Sequence, residues 1–268
     1  MQSWNIKQHL DTLFAIRDQL GPVYGSEDLC MLLYSMVRRE QPQVVVELGT
    51  GLGATTAWVA SALKEIGTGR IYTFDNGSHF QDASVKAFLS QLGGELHEFA
   101  RLSQTGSYEA CMDWIFQRVD VADRVQLVKG DIGFDARAAE AVAQGKKIDL
   151  LFSDFNHAPK TIIQLLAGYL PYVNTTSAIY IDSAPTHLPS YWMLENLVQM
   201  LNAKRIPAAW RHELGAEQLA ALRDLVDQCR FQLVHLVEKT PRSQNSTAWI
   251  RIAPDDIFPA GATHLRFQ

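Results

Sequence analysis

Cysteine is scarce in this chain. Only Cys30, Cys111 and Cys229 occur, and none forms a CxxC pair. That argues against a disulfide framework or a zinc centre and suits reduced thiols in a cytoplasmic protein. Long hydrophobic runs are missing as well: no apolar stretch approaches the ~18 residues that a spanning helix needs. The first residues lack a basic segment followed by an apolar one, so the expectation is a cytoplasmic protein with neither secretion signal nor membrane partner. There is no excess of positive charge. Lys and Arg number 24 against 29 Asp and Glu, a net charge of −5. A broad polyanion-binding face, and with it a nucleic-acid partner, is therefore disfavoured. Repeats, low-complexity tracts and long linkers are absent. So is any Ser-His-Asp or Cys-His pattern for covalent catalysis.

What is present is ordinary globular material. The 268 residues are 47% hydrophobic, enough for one large α/β domain or two small ones. Residues 4–20 carry apolar side chains at helical spacing up to Gly21-Pro22, and a second helix is expected from an N-cap at Ser26 to about Arg39. Strands and helices then alternate. Strands are expected at 44–48, 70–74, 125–129, 148–152 and 177–181, with helices at 55–66, 136–144, 160–170 and 191–202. This pattern implies parallel βαβ units. After a helix at about 217–229, two runs at 230–238 and 247–252 read as a closing antiparallel hairpin. The domain expectation is a helical extension over 1–40 and a main domain over 41–268.

Two segments exceed this scheme. The third strand begins about fifty residues after the second, which makes Gly77–Ser107 a partly helical insertion. A second excess lies at Arg205–Ala216. Both are read as lid and pocket wall, because open α/β sheets bind ligands at the carboxyl ends of their strands.

The most informative stretch is "QVVVELGTGLGA" at 43–54. Glycines between a buried strand and a helix let the backbone approach a ligand at the helix N-terminus. Gly49, Gly51 and Ala54 satisfy the dinucleotide pattern G-x-G-x-x-G/A, with Asp75 at the expected distance, so an NAD-dependent oxidoreductase is one reading. Three features point elsewhere. Glu47 stands two residues before Gly49, where an anion repels a pyrophosphate but suits a cationic sulfonium or ammonium. The glycines run 49, 51, 53. Gly130-Asp131 then closes the third strand with another acceptor.

"VVVELGTGLGATTAWVASAL" resembles the first motif of the class I S-adenosylmethionine-dependent methyltransferases. "IYTFDNG" is similar to their second-strand motif and "VQLVKGDI" to the strand that frames the adenine. "IDLLFSDFNHAPKTIIQLL" and "SAIYIDSA" resemble the fourth and fifth strands of small-molecule O-methyltransferases, both the catechol O-methyltransferase type and the cephalosporin-hydroxylase-like group. The resemblance covers roughly residues 25–185. It implies a Rossmann-like sandwich with a mostly parallel seven-stranded sheet, an antiparallel C-terminal hairpin, an N-terminal helical extension and an inserted lid. It also implies S-adenosylmethionine as cofactor. Glu47 and the backbone of Gly49, Gly51 and Gly53 would face the methionine portion and the adjacent ribose. Asp75, with Asn76 beside it, would take the ribose hydroxyls. Asp131 would accept from the adenine amino group, with Ile132 packing nearby, and Asp154 would lie near the methionine amino group. Tyr24 and Phe155 are aromatic candidates for the sulfonium. Trp58 reads as packing, and Phe80, Tyr191 and Trp192 as further residues near the cleft. Each strand-end aspartate can alternatively be a helix N-cap.

In the divalent-metal branch of that family, Asp154 and Asp182 would hold Mg2+, although Ser183 stands where a second strong oxygen ligand is expected. Asn156 offers a compensating carbonyl. The alternative is hydrogen bonding alone at both aspartates. His157 is the candidate general base, with Asp154 and Asn156 beside it in the catalytic set. A histidine bonded at a helix start is the alternative. Lys160 is a weaker base candidate, and His187 is read as lining the substrate pocket or as an exposed loop histidine. The expected function is methyl transfer to an oxygen, less readily a nitrogen, of a small metabolite in secondary metabolism, with a homodimer left open. A same-fold enzyme that cyclises or cleaves S-adenosylmethionine, and a non-catalytic binding domain, stay open beside it.

Overall fold

Five consecutive buried residues set the frame: Val44–Leu48 forms β1, with no exposed member, as a strand covered on both faces requires. In the computed structural model of the protein, the residues described are 6–20, 26–131, 133, 144–238 and 245–257. Helices α1 (Ile6–Leu20) and α2 (Glu27–Glu40) precede β1, and α3 (Ala54–Ile66) and β2 (Arg70–Asp75) follow it. Between β2 and β3 (Val125–Lys129) lie α4 (Ala83–Leu89), α5 (His97–Thr105) and α6 (Tyr108–Arg118). Then come β4 (Ile148–Ser153), α7 (Pro159–Tyr169), β5 (Val173–Asp182) and α8 (Leu188–Asn202). The described chain continues with α9 (Ala208–Glu213), α10 (Ala216–Gln228), β6 (Cys229–Val237) and β7 (Ser246–Pro254).

The strand order is β3-β2-β1-β4-β5-β7-β6. β1 pairs parallel with β2, and β2 with β3, whereas β7 runs antiparallel to both β5 and β6. This is the mostly parallel, Rossmann-like sheet with a reversed strand near its end that the sequence implied. A dinucleotide-binding sheet in the order 3-2-1-4-5-6 has no such insertion of a seventh strand.

The chain forms two compact units. The first comprises the described residues of 1–132, 141–146 and 152–155; the second, those of 133–140, 147–151 and 156–268. In the first unit, α1 and α2 pack on α3. Trp58 of α3 is 2% exposed and receives Phe14 and Tyr34 edge-on, with centroids at 5.0 and 5.9 Å. It is core, as its place within the helix suggested. Ser26 caps α2 by accepting from the Leu29 amide at 2.9 Å. The insertion after β2 carries its own buried side chains, Phe80, Val85, Leu89, Leu96 and Phe99. Phe80 meets Phe99 at 6.2 Å and Tyr108 at 5.3 Å.

In the second unit two helices start earlier than hydrophobic periodicity indicated. α7 begins at Pro159 and α8 at Leu188, each with a proline in its first turn. Proline suits that turn because its missing N–H would have no intrahelical partner there. β5 likewise begins at Val173, four residues early, because the polar β-branched Thr175 and Thr176 extend the strand beyond its apolar part. Arg205–Ala216 contains α9, anchored by the buried Trp210. The helix expected at 136–144 and the turn at 239–244 fall largely or wholly outside the described residues. Among those residues, no helix is long and apolar enough to cross a membrane.

Phe99 is fully buried. Phe99→Ala should lower unfolding free energy by about 3–5 kcal/mol within a single urea transition. A loss below about 1 kcal/mol would show that the insertion lies outside the cooperative core.

Candidate active site

The site is built from the carboxyl ends of the strands. In the first unit the acid ending β1 does not stand open at the strand mouth. Glu47 is 1% exposed. Its Oε2 accepts hydrogen bonds from the Thr56 hydroxyl and, at 2.5 Å, from that of Thr73. Thr73 has one hydroxyl proton and directs it to Glu47, so Thr50, 2.5 Å away, must be the donor to Thr73. A relay therefore runs beneath the loop from Thr50 through Thr73 to Glu47. Burial pushes the Glu47 carboxyl up to about 7. The two threonine bonds pull the other way, and the negative charge of Asp75 adds to the rise.

Above this relay, Asp75 at the end of β2 clasps two backbone amides. Its Oδ2 accepts from Gly51 at 3.0 Å and its Oδ1 from Gly77 at 2.7 Å. Gly49, Gly51 and Gly53 separate into different tasks. A Cβ on Gly49 would stand 2.5 Å from the carbonyl oxygen of Asp154, so glycine there lets the end of β4 close on the loop. A Cβ on Gly53 would press on Met112 and Phe116 of α6. Gly51 has a φ of +55°, and a Cβ there would meet no atom of the described residues within 4 Å. Among those residues nothing packs on its side, and only a left-handed backbone demands glycine there.

Asn76 and Asp131 come together: Asn76 Nδ2 donates to Asp131 Oδ1 at 2.8 Å, and both are exposed. The Asp154 amide donates to the Leu48 carbonyl at 2.9 Å, which holds Asp154 and Phe155 beside the glycine loop. Tyr24 and Ile132 lie outside the described residues. Phe80 is an internal packing residue.

In the second unit His157 is fixed by its neighbours. Its Nδ1 lies 2.9 Å from the carbonyl oxygen of Asp182. A carbonyl only accepts, so Nδ1 carries the proton, and in the neutral ring Nε2 carries the lone pair. Ser190 Oγ donates to the His157 carbonyl at 2.6 Å. His187, exposed, stacks on the His157 ring at 5.7 Å and 11°. Asn156 Oδ1 accepts from the Ala158 amide at 2.9 Å and so caps the turn before α7. Tyr191 stacks on His235 at 4.0 Å, and Trp192 is 57% exposed.

Asp182 is 5% exposed; Oδ2 accepts from the Ser183 hydroxyl at 2.7 Å and Oδ1 from that of Thr247 at 3.3 Å. Among the described residues, no three or more His, Cys, Asp or Glu side chains gather as a metal-holding group. This donor set does not fit a magnesium site, and no chemistry is routed through a metal.

Sequence reasoning missed Thr50, Thr56, Thr73 and Tyr108. The signal for the first three was available: Thr73 is a hydroxyl inside a strand that reads as buried, beside a strand holding a buried glutamate.

A sheet in this order with a reversed β7, carrying an acid, a glycine loop and a second-strand aspartate at its carboxyl edge, defines a class I, S-adenosylmethionine-dependent methyltransferase. The chain belongs to the methyltransferase-domain family: residues 46–184, just over half of it, match that family's model. Among proteins of curated function, none matches at a significant level. Several solved structures resemble it. A methyltransferase from Geobacter sulfurreducens is 16% identical over 94% of this chain and 93% of its own, with a TM-score of 0.48. The O-methyltransferase TomG from Streptomyces achromogenes, involved in tomaymycin synthesis and solved with S-adenosylmethionine, is 15% identical over 94% and 92%, with a TM-score of 0.44. An O-methyltransferase from Bacillus cereus, solved with S-adenosylhomocysteine, is 13% identical over 94% and 93%, also at 0.44. Likeness at this level says nothing of substrate.

The raised carboxyl of Glu47 has a signed consequence. Between 4.5 and about 7 the folded state holds a proton that the unfolded chain has released. Stability therefore falls as pH rises across that window, by roughly 3 kcal/mol from this group, and levels off above it. Glu47→Gln should flatten that part of the Tm–pH curve and gain on the wild type as pH rises from 4.5 to about 7. Parallel curves for the two proteins would contradict the assignment.

Proposed function

We propose that the chain transfers a methyl group from S-adenosylmethionine to an oxygen of a small metabolite. Support for the cofactor site comes from the first unit. The open side of Gly51 gives room for a ligand against the loop, and Asp75 suits ribose hydroxyls because each carboxylate oxygen accepts more than one hydrogen bond. Asp131, oriented by Asn76, suits the adenine amino group. Asp154 and Phe155 would border the methionine end, with Glu47 supplying negative charge from below. Tyr24 and Ile132 complete the proposed set. Bound there, S-adenosylmethionine supplies a methyl group already activated on a sulfonium, so alignment and exclusion of water do most of the work.

The observation that carries the oxygen acceptor is the tautomer of His157. As a carbon–oxygen bond forms and the carbon–sulfur bond breaks, a hydroxyl acceptor must lose its proton. An imidazole anchored through Nδ1–H to the Asp182 carbonyl presents Nε2 for that proton. Ser190 holds the backbone of His157, and Asn156 fixes the turn that carries it. A small acceptor, rather than a nucleic acid, agrees with the net charge of −5.

Incubation with methyl-labelled S-adenosylmethionine and a panel of hydroxylated small molecules tests this. Label should pass to an acceptor with release of S-adenosylhomocysteine. His157→Ala should lower the rate by about 10²–10⁴-fold while S-adenosylhomocysteine affinity is kept. Methylthioadenosine formed without any acceptor would mean that a different carbon–sulfur bond breaks and would overturn methyl transfer.

A further inference from the structure

The first turn of α6 braces the carboxyl ends of three strands in the first unit. Tyr108, its first residue, is 4% exposed. The Tyr108 hydroxyl donates to the carbonyl of Gly51 at 3.0 Å. Its ring lies against Gly77, where a Cβ would stand 2.9 Å from the ring atoms Cγ and Cδ1. The next residue, Glu109, pairs with Lys129 at the end of β3 at 2.7 Å. Ser107 caps the helix by accepting from the Ala110 amide at 3.2 Å. One turn thus touches the loop after β1, the loop after β2 and the end of β3.

The consequence falls on the backbone of Gly51. Its N–H, in the peptide from Thr50, is held by Asp75, and its C=O, in the peptide to Leu52, by Tyr108, so two successive peptides are fixed at the loop glycine whose Cβ position meets no described residue. We propose that Tyr108 is a positioning residue for the cofactor: by holding the Gly51 carbonyl it sets the loop in its binding shape before ligand arrives. This rests on the cofactor reading given above. Burial and the neighbouring Asp75 push the phenol pKa up, so the hydroxyl stays a donor across the working pH range. The packing of Phe80 on the Tyr108 ring also ties the insertion to the loop, and this gives the insertion a part in cofactor affinity. Holding the loop in advance removes an ordering cost from binding, and losing the donor leaves a carbonyl unsatisfied.

Calorimetric titration of S-adenosylhomocysteine into wild type, Tyr108→Phe and Tyr34→Phe is the test. Tyr34 is an equally suitable buried tyrosine of the same unit, 7% exposed and bonded to Glu65 at 2.6 Å, remote from the loop. Tyr108→Phe should weaken binding about tenfold, and Tyr34→Phe should leave it within about twofold. Amide exchange at Gly51 should quicken in Tyr108→Phe alone and slow again with saturating S-adenosylhomocysteine. Affinity kept within about twofold in Tyr108→Phe, or an equal loss in both variants, would overturn the inference and leave the cofactor reading standing. Failure of the wild type to bind either S-adenosylmethionine or S-adenosylhomocysteine would overturn the cofactor reading itself, and this inference with it.

Discussion

The carboxylate of Asp75 accepts from the amides of Gly51 and Gly77 at once, and the local architecture depends on that double acceptance. One oxygen holds the loop that leaves β1; the other holds the chain as it enters the long insertion after β2. Charge-assisted bonds to backbone N–H groups are stronger than neutral ones, so both loops are fixed relative to the end of β2. Without this clasp the Gly51 peptide would have no donor-side restraint, and the insertion would have no fixed point of departure. The insertion is therefore joined to the glycine loop rather than appended to the sheet.

Charge explains why such a loop suits a sulfonium. Glu47 lies buried under it and Asp75 stands at its flank, where its charge makes ionisation of Glu47 harder. A pyrophosphate would meet the wrong sign here. A cation relieves the strain, because it stabilises an ionised Glu47 that burial alone disfavours. The threonine relay keeps that buried carboxyl hydrogen-bonded in either protonation state, which is what a buried polar group demands. The same acid that separates this loop from a dinucleotide loop in the sequence is a buried carboxyl whose ionisation burial disfavours.

Much of this was legible in the chain. Short β-rich runs separated by helical periods implied parallel βαβ units, and the acid before Gly49 separated two loop types with the same glycine spacing. Errors at element starts trace to first-turn prolines at Pro159 and Pro189 and to Thr175 and Thr176, which extend a strand without apolar periodicity. What the sequence hid was long-range. Tyr108 lies 57 residues from Gly51, just after an insertion that matches no motif, and the contact exists only because α6 returns over the loop. The tautomer of His157 was hidden too, since it is set by a backbone carbonyl 25 residues away.

The central claim is that the loop and the β2 aspartate together hold S-adenosylmethionine. Competitive calorimetry of wild type and Asp75→Ala with S-adenosylmethionine, S-adenosylhomocysteine and NAD tests it most directly. Wild type should bind the first two and not NAD, and Asp75→Ala should lose at least about tenfold in affinity. Tight binding of NAD with no affinity for S-adenosylmethionine would contradict it.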